Sequence, residues 1–136
     1  MEKVWTANKK RDAKRMVNYF FDSYAVIEIV KENPQYFKYL NENFVITIFN
    51  LVEIYWAVLR DFDEEKADEI YSEINLMITD IDDATLKEAV KFRIKNKKRD
   101  LSYADCIGYT YALRNNLIFL TGDKEFERLE NVEFVK

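Results

Sequence analysis

Short apolar runs alternate with longer amphipathic stretches along most of the chain. Val17-Asn-Tyr-Phe-Phe21 is aromatic and β-prone and predicts a first strand. It ends in Asp22, and Ser23 to about Lys31 predicts a helix with Ala25, Val26, Ile29 and Val30 on its inner side. Pro34 preorganises the first turn of a short helix reaching Asn41. Phe44–Ile48 reads as a second strand. Phe49 to about Arg60 reads as a helix with Phe49, Val52, Trp56 and Ala57 inward and Glu53 among them. Asp61 to Asp63 predicts a turn, and the acids of the helix running to Ile74 read as a solvated face favoured by the helix dipole. Leu76–Thr79 reads as a third strand, and Ala84 to about Lys95 as a helix capped by Asp83. A helix opens at Ser102, turns at Asn115-Asn116 and leads into the strand Leu117–Leu120. A helical turn to about Leu129 and an edge strand at Val132–Val135 close the chain. The run Leu117–Leu120 lacks polar alternation, as a strand buried on both faces does in a parallel sheet. Alternating strands and helices predict an α/β fold: a mostly parallel central sheet with helices on both faces.

In such sheets ligands sit beyond the carboxyl ends of the strands. Asp22 and Asp123 each follow an apolar run directly and fall at that end. Asp105 lies one turn into its helix, on the side shared with Gly108 and Ala112, where small residues permit close packing. Glu53 stands on what reads as the apolar side of its helix, where an unpaired carboxylate is costly. Plain structural roles exist for two of them: Asp22 as a helix N-cap, and Glu53 as the third helical residue of a capping box begun by Asn50. Four carboxylates in one cleft would take up protons or bind cations. Oxygen-only ligands suit Mg²⁺ or Mn²⁺, and such ions support in-line phosphoryl displacement.

Composition narrows the chemistry. The 136 residues, 49% hydrophobic, predict one folded domain. No histidine is present, which excludes Ser-His-Asp and Cys-His nucleophile pairs and histidine-bound zinc. The one cysteine, Cys106, excludes an intrachain disulfide. No long apolar run or signal peptide is visible, so a cytoplasmic protein without a membrane span is expected. Residues 1–15 carry six Lys/Arg against two acids and read as a basic N-terminal extension, with the folded domain at 16–136. The remainder is acidic, so contact with a polyanion requires a local basic patch. The run from Lys87 to Arg99 offers one, and Lys97, Lys98 and Arg99 lead directly towards Ser102 and Asp105.

Four motifs together carry a family resemblance. Phe21-Asp22-Ser23 after the first strand, Glu53 in the helix after the second, Leu101-Ser102-Tyr103-Ala104-Asp105, and Leu120-Thr121-Gly122-Asp123-Lys124-Glu125-Phe126 resemble, in order and spacing, those of PIN-domain nucleases. The size is similar to that of VapC toxins of toxin–antitoxin pairs. The resemblance implies a three-layer α/β/α sandwich and Mg²⁺- or Mn²⁺-dependent RNA cleavage. It implies Asp22, Glu53, Asp105 and Asp123 as the acidic metal site, and Ser23, Ser102 and Thr121 as supporting hydroxyls. It further implies an inhibitory antitoxin and a homodimer. Tyr24 departs from the family pattern, which commonly has a small polar residue there. A non-catalytic PIN fold that binds RNA or protein is one alternative. A receiver-like phosphotransfer domain is another, but it would require an acid pair at the first strand, and none accompanies Asp22.

Overall fold

The structure, a computed structural model, describes residues 16–136; the basic extension read at 1–15 lies outside the described residues. Four strands, β1 (Tyr19–Phe21), β2 (Phe44–Val45), β3 (Ile118–Thr121) and β4 (Val132–Phe134), form a sheet in the order β2-β1-β3-β4. Every pairing is parallel. Five α-helices surround it: α1 (Ser23–Val30), α2 (Ile48–Asp61), α3 (Glu64–Ile74), α4 (Asp83–Lys95) and α5 (Tyr103–Arg114). Short 3₁₀ segments cover Pro34–Asn41, Asn75–Met77 and Lys124–Phe126.

The side-chain alternation of a strand separates the two cores. On β1, Phe21 enters a cluster with Ala25, Ile29, Leu51, Ile54, Ile70 and Ile74 from α1, α2 and α3. Its neighbour Phe20 enters the opposite cluster with Ala89, Ile107, Tyr109 and Ala112 from α4 and α5. Leu120 and Phe119 of β3 divide in the same way. The result is the three-layer α/β/α sandwich. Each fully buried large side chain contributes roughly 1.5–3 kcal/mol, and aromatic pairs such as Phe21 on Phe44, stacked at 4.1 Å between centroids, add to this.

Several expected boundaries move for identifiable reasons. The second strand stops at Val45 because Thr47 caps α2, accepting from Asn50 N and donating its own N–H to Asn50 Oδ1 in a capping box. Asn50 is therefore the third helical residue rather than the cap, and Glu53 lies beyond the box. With β2 so short, the run expected as a third strand at Leu76–Thr79 has little to pair with. It begins in a 3₁₀ turn and leaves one parallel bridge, Ile46 to Ile78, with Ile46 N donating to Met77 O and Thr79 N to Ile46 O. Asp82, not Asp83, caps α4. The short connection from α5 to β3 is made by Asn116 at φ 56°, a left-handed conformation asparagine tolerates.

The largest correction concerns α2, which is apolar on two sides, so periodicity alone cannot choose between them. The buried side is Leu51, Ile54, Ala57 and Val58. Of the residues expected inward, only Ala57 is; Phe49, Val52 and Trp56 are exposed, with Leu59 continuing their line. On α3, Glu73, expected on a solvated face, is buried with Ile70 and Ile74.

Candidate functional site

The carboxyl end of the sheet collects four chain segments: the β1–α1 junction, the start of α2, the start of α5, and the turn after β3. Asp22 directly follows β1 and is 2% exposed. Its Oδ1 accepts from Ser23 N at 2.9 Å, which makes it the N-cap of α1. Its Oδ2 accepts from Thr121 Oγ1 at 2.7 Å, across to the end of β3. The Thr121 hydroxyl also accepts from Asp123 N at 3.0 Å, so one hydroxyl fixes both strand-end acids. Asp123 Oδ1 caps the following turn through Glu125 N.

The helical acids are held as firmly. Ser102 caps α5, and Asp105 closes the capping box by accepting from Ser102 N at 2.9 Å while Ser102 Oγ accepts from Asp105 N. Glu53 reaches from α2 between the other two helix starts. Its Oε1 accepts from Ser23 Oγ at 2.7 Å, and its Oε2 lies 3.4 Å from the Ser102 hydroxyl. All three predicted hydroxyls thus touch a predicted acid. Capping explains the bonds of Asp22 with Ser23 N, Asp105 with Ser102 N and Asp123 with Glu125 N, but not those of Asp22 with Thr121 or of Glu53 with Ser23 and Ser102, which cross between segments. Nor does capping explain why the four acids share one end of the sheet.

Their mutual field is the more telling property. Burial, and then the Asp105 and Glu53 charges, drive the Asp22 carboxyl well above the usual carboxylate range, against hydrogen bonds from Thr121 and Ser23 that favour the anion. Burial pushes Asp105 up from 3.8 to about 6, with Glu53 and Asp123 adding to the rise and the Ser102 hydrogen bonds opposing it. Such a cluster is short of positive charge. Among the described residues, no three acidic or cysteine side chains are already gathered closely enough to grip an ion. The donor chemistry nevertheless fits a hard divalent cation: oxygen ligands only, on four separate anchors, in a field that favours a cation.

Sequence reasoning took Asn50 only as a helix cap and missed its place at the site: it is fully buried and donates from Nδ2 to Ser23 Oγ at 2.9 Å. The signal was there: Thr47-x-x-Asn50 has the spacing of a capping box. The basic run is only partly free. Lys97 and Lys98 are exposed, whereas the Arg99 guanidinium donates to Glu125 O at 2.6 Å and to Asn96 Oδ1. Arg99 thereby ties the end of the run to the turn after Asp123. Arg93 stacks on Tyr103 at 4.2 Å and donates to Leu101 O, fixing the entry to α5.

Residues 19–132 match the sequence profile of the PIN domain. A solved structure, a toxin-antitoxin complex from Klebsiella pneumoniae, is similar to this chain at 18% identity, covering 85% of this chain and 96% of that one, with a TM-score of 0.68. At that identity the likeness speaks for the fold. No curated protein matches the chain. No helix of the described residues is long and apolar enough to cross a membrane.

Proposed function

The chain belongs to the PIN domain family, and from that premise we propose that it is a Mg²⁺- or Mn²⁺-dependent endoribonuclease, the toxin of a toxin–antitoxin pair. The observation carrying the reading is the set Asp22, Glu53, Asp105 and Asp123, brought from four segments to one end of the sheet and sharing one field. In this reading these carboxylates hold the metal. When bound, the ion supplies water activation and neutralises charge developing on the phosphate. The protein's own part is to fix the ligands. Thr121 holds Asp22, Ser23 and Ser102 hold Glu53, and the α5 capping box holds Asp105. The test is cleavage of a short single-stranded RNA with Mn²⁺ and with EDTA. Cleavage that persists in EDTA defeats the metal-dependent reading, and an absence of cleavage across RNA substrates favours a binding module instead.

RNA contact in this reading uses Lys97 and Lys98, which are exposed. Their replacement together by alanine is expected to weaken binding across sequences and to flatten its salt dependence by roughly 0.7 per lost phosphate contact. Arg99→Ala should instead lower thermal stability, because its guanidinium holds the Glu125 carbonyl. Unchanged affinity and salt slope in the double lysine variant would place the RNA path elsewhere.

An antitoxin partner has a candidate surface. Phe49, Val52, Trp56 and Leu59 are 42%, 65%, 61% and 42% exposed. Their spacing of three, four and three makes one seam along α2, the spacing that packs against a second helix. A helix of the antitoxin is the proposed occupant, and a homodimer is the competing one. Trp56→Glu should abolish antitoxin capture while leaving the oligomeric state of the chain unchanged in light scattering. Loss of self-association instead would assign the seam to the dimer.

A further inference from the structure

The hydrogen bonds beneath Glu53 have a direction that is set by the backbone. Thr47 N donates to Asn50 Oδ1 at 2.9 Å, and a backbone N–H can only donate. The oxygen end of the Asn50 amide therefore faces Thr47, where Thr47 Oγ1 also donates to it at 2.7 Å. The amide nitrogen must face the other way, and it donates to Ser23 Oγ at 2.9 Å. The Ser23 hydroxyl has one hydrogen. With a lone pair engaged by Asn50, it donates that hydrogen to Glu53 Oε1 at 2.7 Å. Thr47 and Asn50 are fully buried and Ser23 nearly so, so water does not compete for these partners. One unbroken sequence of donors thus runs from the start of α2, through the start of α1, to the carboxylate of Glu53. It leaves Oε2 with only the long contact to Ser102.

A helix cap needs only the oxygen end of Asn50. The nitrogen end contributes nothing to capping; its partner is the serine that orients Glu53. We infer that Asn50 is a positioning residue for the acidic site, fixing the Glu53 carboxylate through Ser23 without touching metal or RNA itself. The inference rests on the reading of Glu53 as a metal ligand. Second-layer partners of ligands typically carry a 10–100-fold share of metal affinity or activity.

Asn50→Asp separates the two roles. The new carboxylate still accepts from Thr47, so the cap survives, but it cannot donate to Ser23. It draws the Ser23 hydrogen to itself and away from Glu53. Its added negative charge alone would tighten cation binding, so a weakening cannot come from charge. Mn²⁺ affinity of the full chain, measured by electron paramagnetic resonance without RNA, is expected to fall roughly 10–100-fold. In RNA cleavage, kcat should fall at saturating RNA with KM for RNA little changed. Ser23→Ala should produce a similar loss, and adding Asn50→Asp to it should cost little more. Mn²⁺ affinity equal to or tighter than wild type in Asn50→Asp overturns the inference, whatever the melting temperature does. If that variant does not fold, Ser23→Ala decides alone, and unchanged Mn²⁺ affinity there overturns it equally. The underlying reading fails separately: it is lost if wild type binds no Mn²⁺, or if Glu53→Gln binds it as wild type does, and the inference falls with it.

Discussion

Asp22→Asn and Asp105→Asn are each expected to remove RNA cleavage while raising the melting temperature of the metal-free protein. The two effects have one origin. Asp22 is buried and Asp105 half-buried in the field of their neighbours, and each resists ionisation for that reason. For Asp105, with its folded value near 6 against 3.8 ordinarily, the sign is definite. Its contribution to folding is fully present below about 4 and is lost as pH rises through 6, because the native state then has to ionise a group the unfolded chain ionises easily. Asparagine carries no charge, so Asp105→Asn should gain stability over wild type at pH 7.5 and lose that gain by pH 4. Asp61 and Asp82, held below 3.8 by their hydrogen bonds, titrate beneath this window. The local geometry tolerates the change at Asp22, since an amide can accept from Ser23 N with its oxygen and place its nitrogen at Thr121. Loss of a ligand should reduce cleavage by more than the roughly 10–100-fold typical of an outer partner. Paired melts at the two pH values, with and without Mn²⁺, check both halves. Mn²⁺ should raise the wild-type melting temperature by mass action and raise it much less in either variant. A variant that cuts RNA at the wild-type rate, or that melts lower than wild type at pH 7.5 without metal, would contradict this account.

How much of this was legible beforehand depended on whether local residues decide the outcome. The parallel sheet and its two flanking layers follow from the alternation of short apolar runs with amphipathic helices; in the run Leu117–Leu120, Leu117, Phe119 and Leu120 are buried as expected, whereas Ile118 is exposed. The α5 N-cap at Ser102 was legible because capping chemistry is local. The burial side of α2 was not. Leu51, Ile54 and Val58 form one apolar line and Phe49, Val52 and Trp56 another. Only packing against α1 and α3 selects between them. The strand at Leu76–Thr79 failed for a related reason: its apolar character was real, but its partner β2 ends early at the Thr47 cap. Among site residues the acids stand out in sequence because charge near an apolar run is conspicuous. Asn50 does not, because its role depends on Ser23, twenty-seven positions away.

The second large effect expected is structural and reaches the site from the far side of β1. Gly108 lies on α5 one turn after Asp105 and faces Phe20. A Cβ added there would sit 2.5 Å from Phe20 Cε1 and 2.7 Å from Cζ. The ring has no room to withdraw, for Phe20 is fully buried, stacked on Phe119 at 5.7 Å and packed against Tyr111 at 6.1 Å. Alanine would recover part of the clash through helix propensity, worth up to about 1 kcal/mol over glycine. Valine adds two more carbons and gains less from propensity, so overpacking dominates. Gly108→Val should cost on the order of 3 kcal/mol, a fall in melting temperature of about 10 °C for a chain of this size. The strain should be relieved in part by Phe20→Leu, making the double variant more stable than the sum of the two changes predicts. Relief would come by moving α5 away from β1, and those two elements carry Asp105 and lead into Asp22. Well below its melting temperature, Gly108→Val should therefore also bind Mn²⁺ more weakly than wild type. A variant that melts with wild type would mean that α5 does not seat on β1 at this glycine. A variant that is destabilised yet binds Mn²⁺ normally would mean that the spacing of Asp22 and Asp105 is set at the helix start, by the Ser102 cap, and not by the packing behind it.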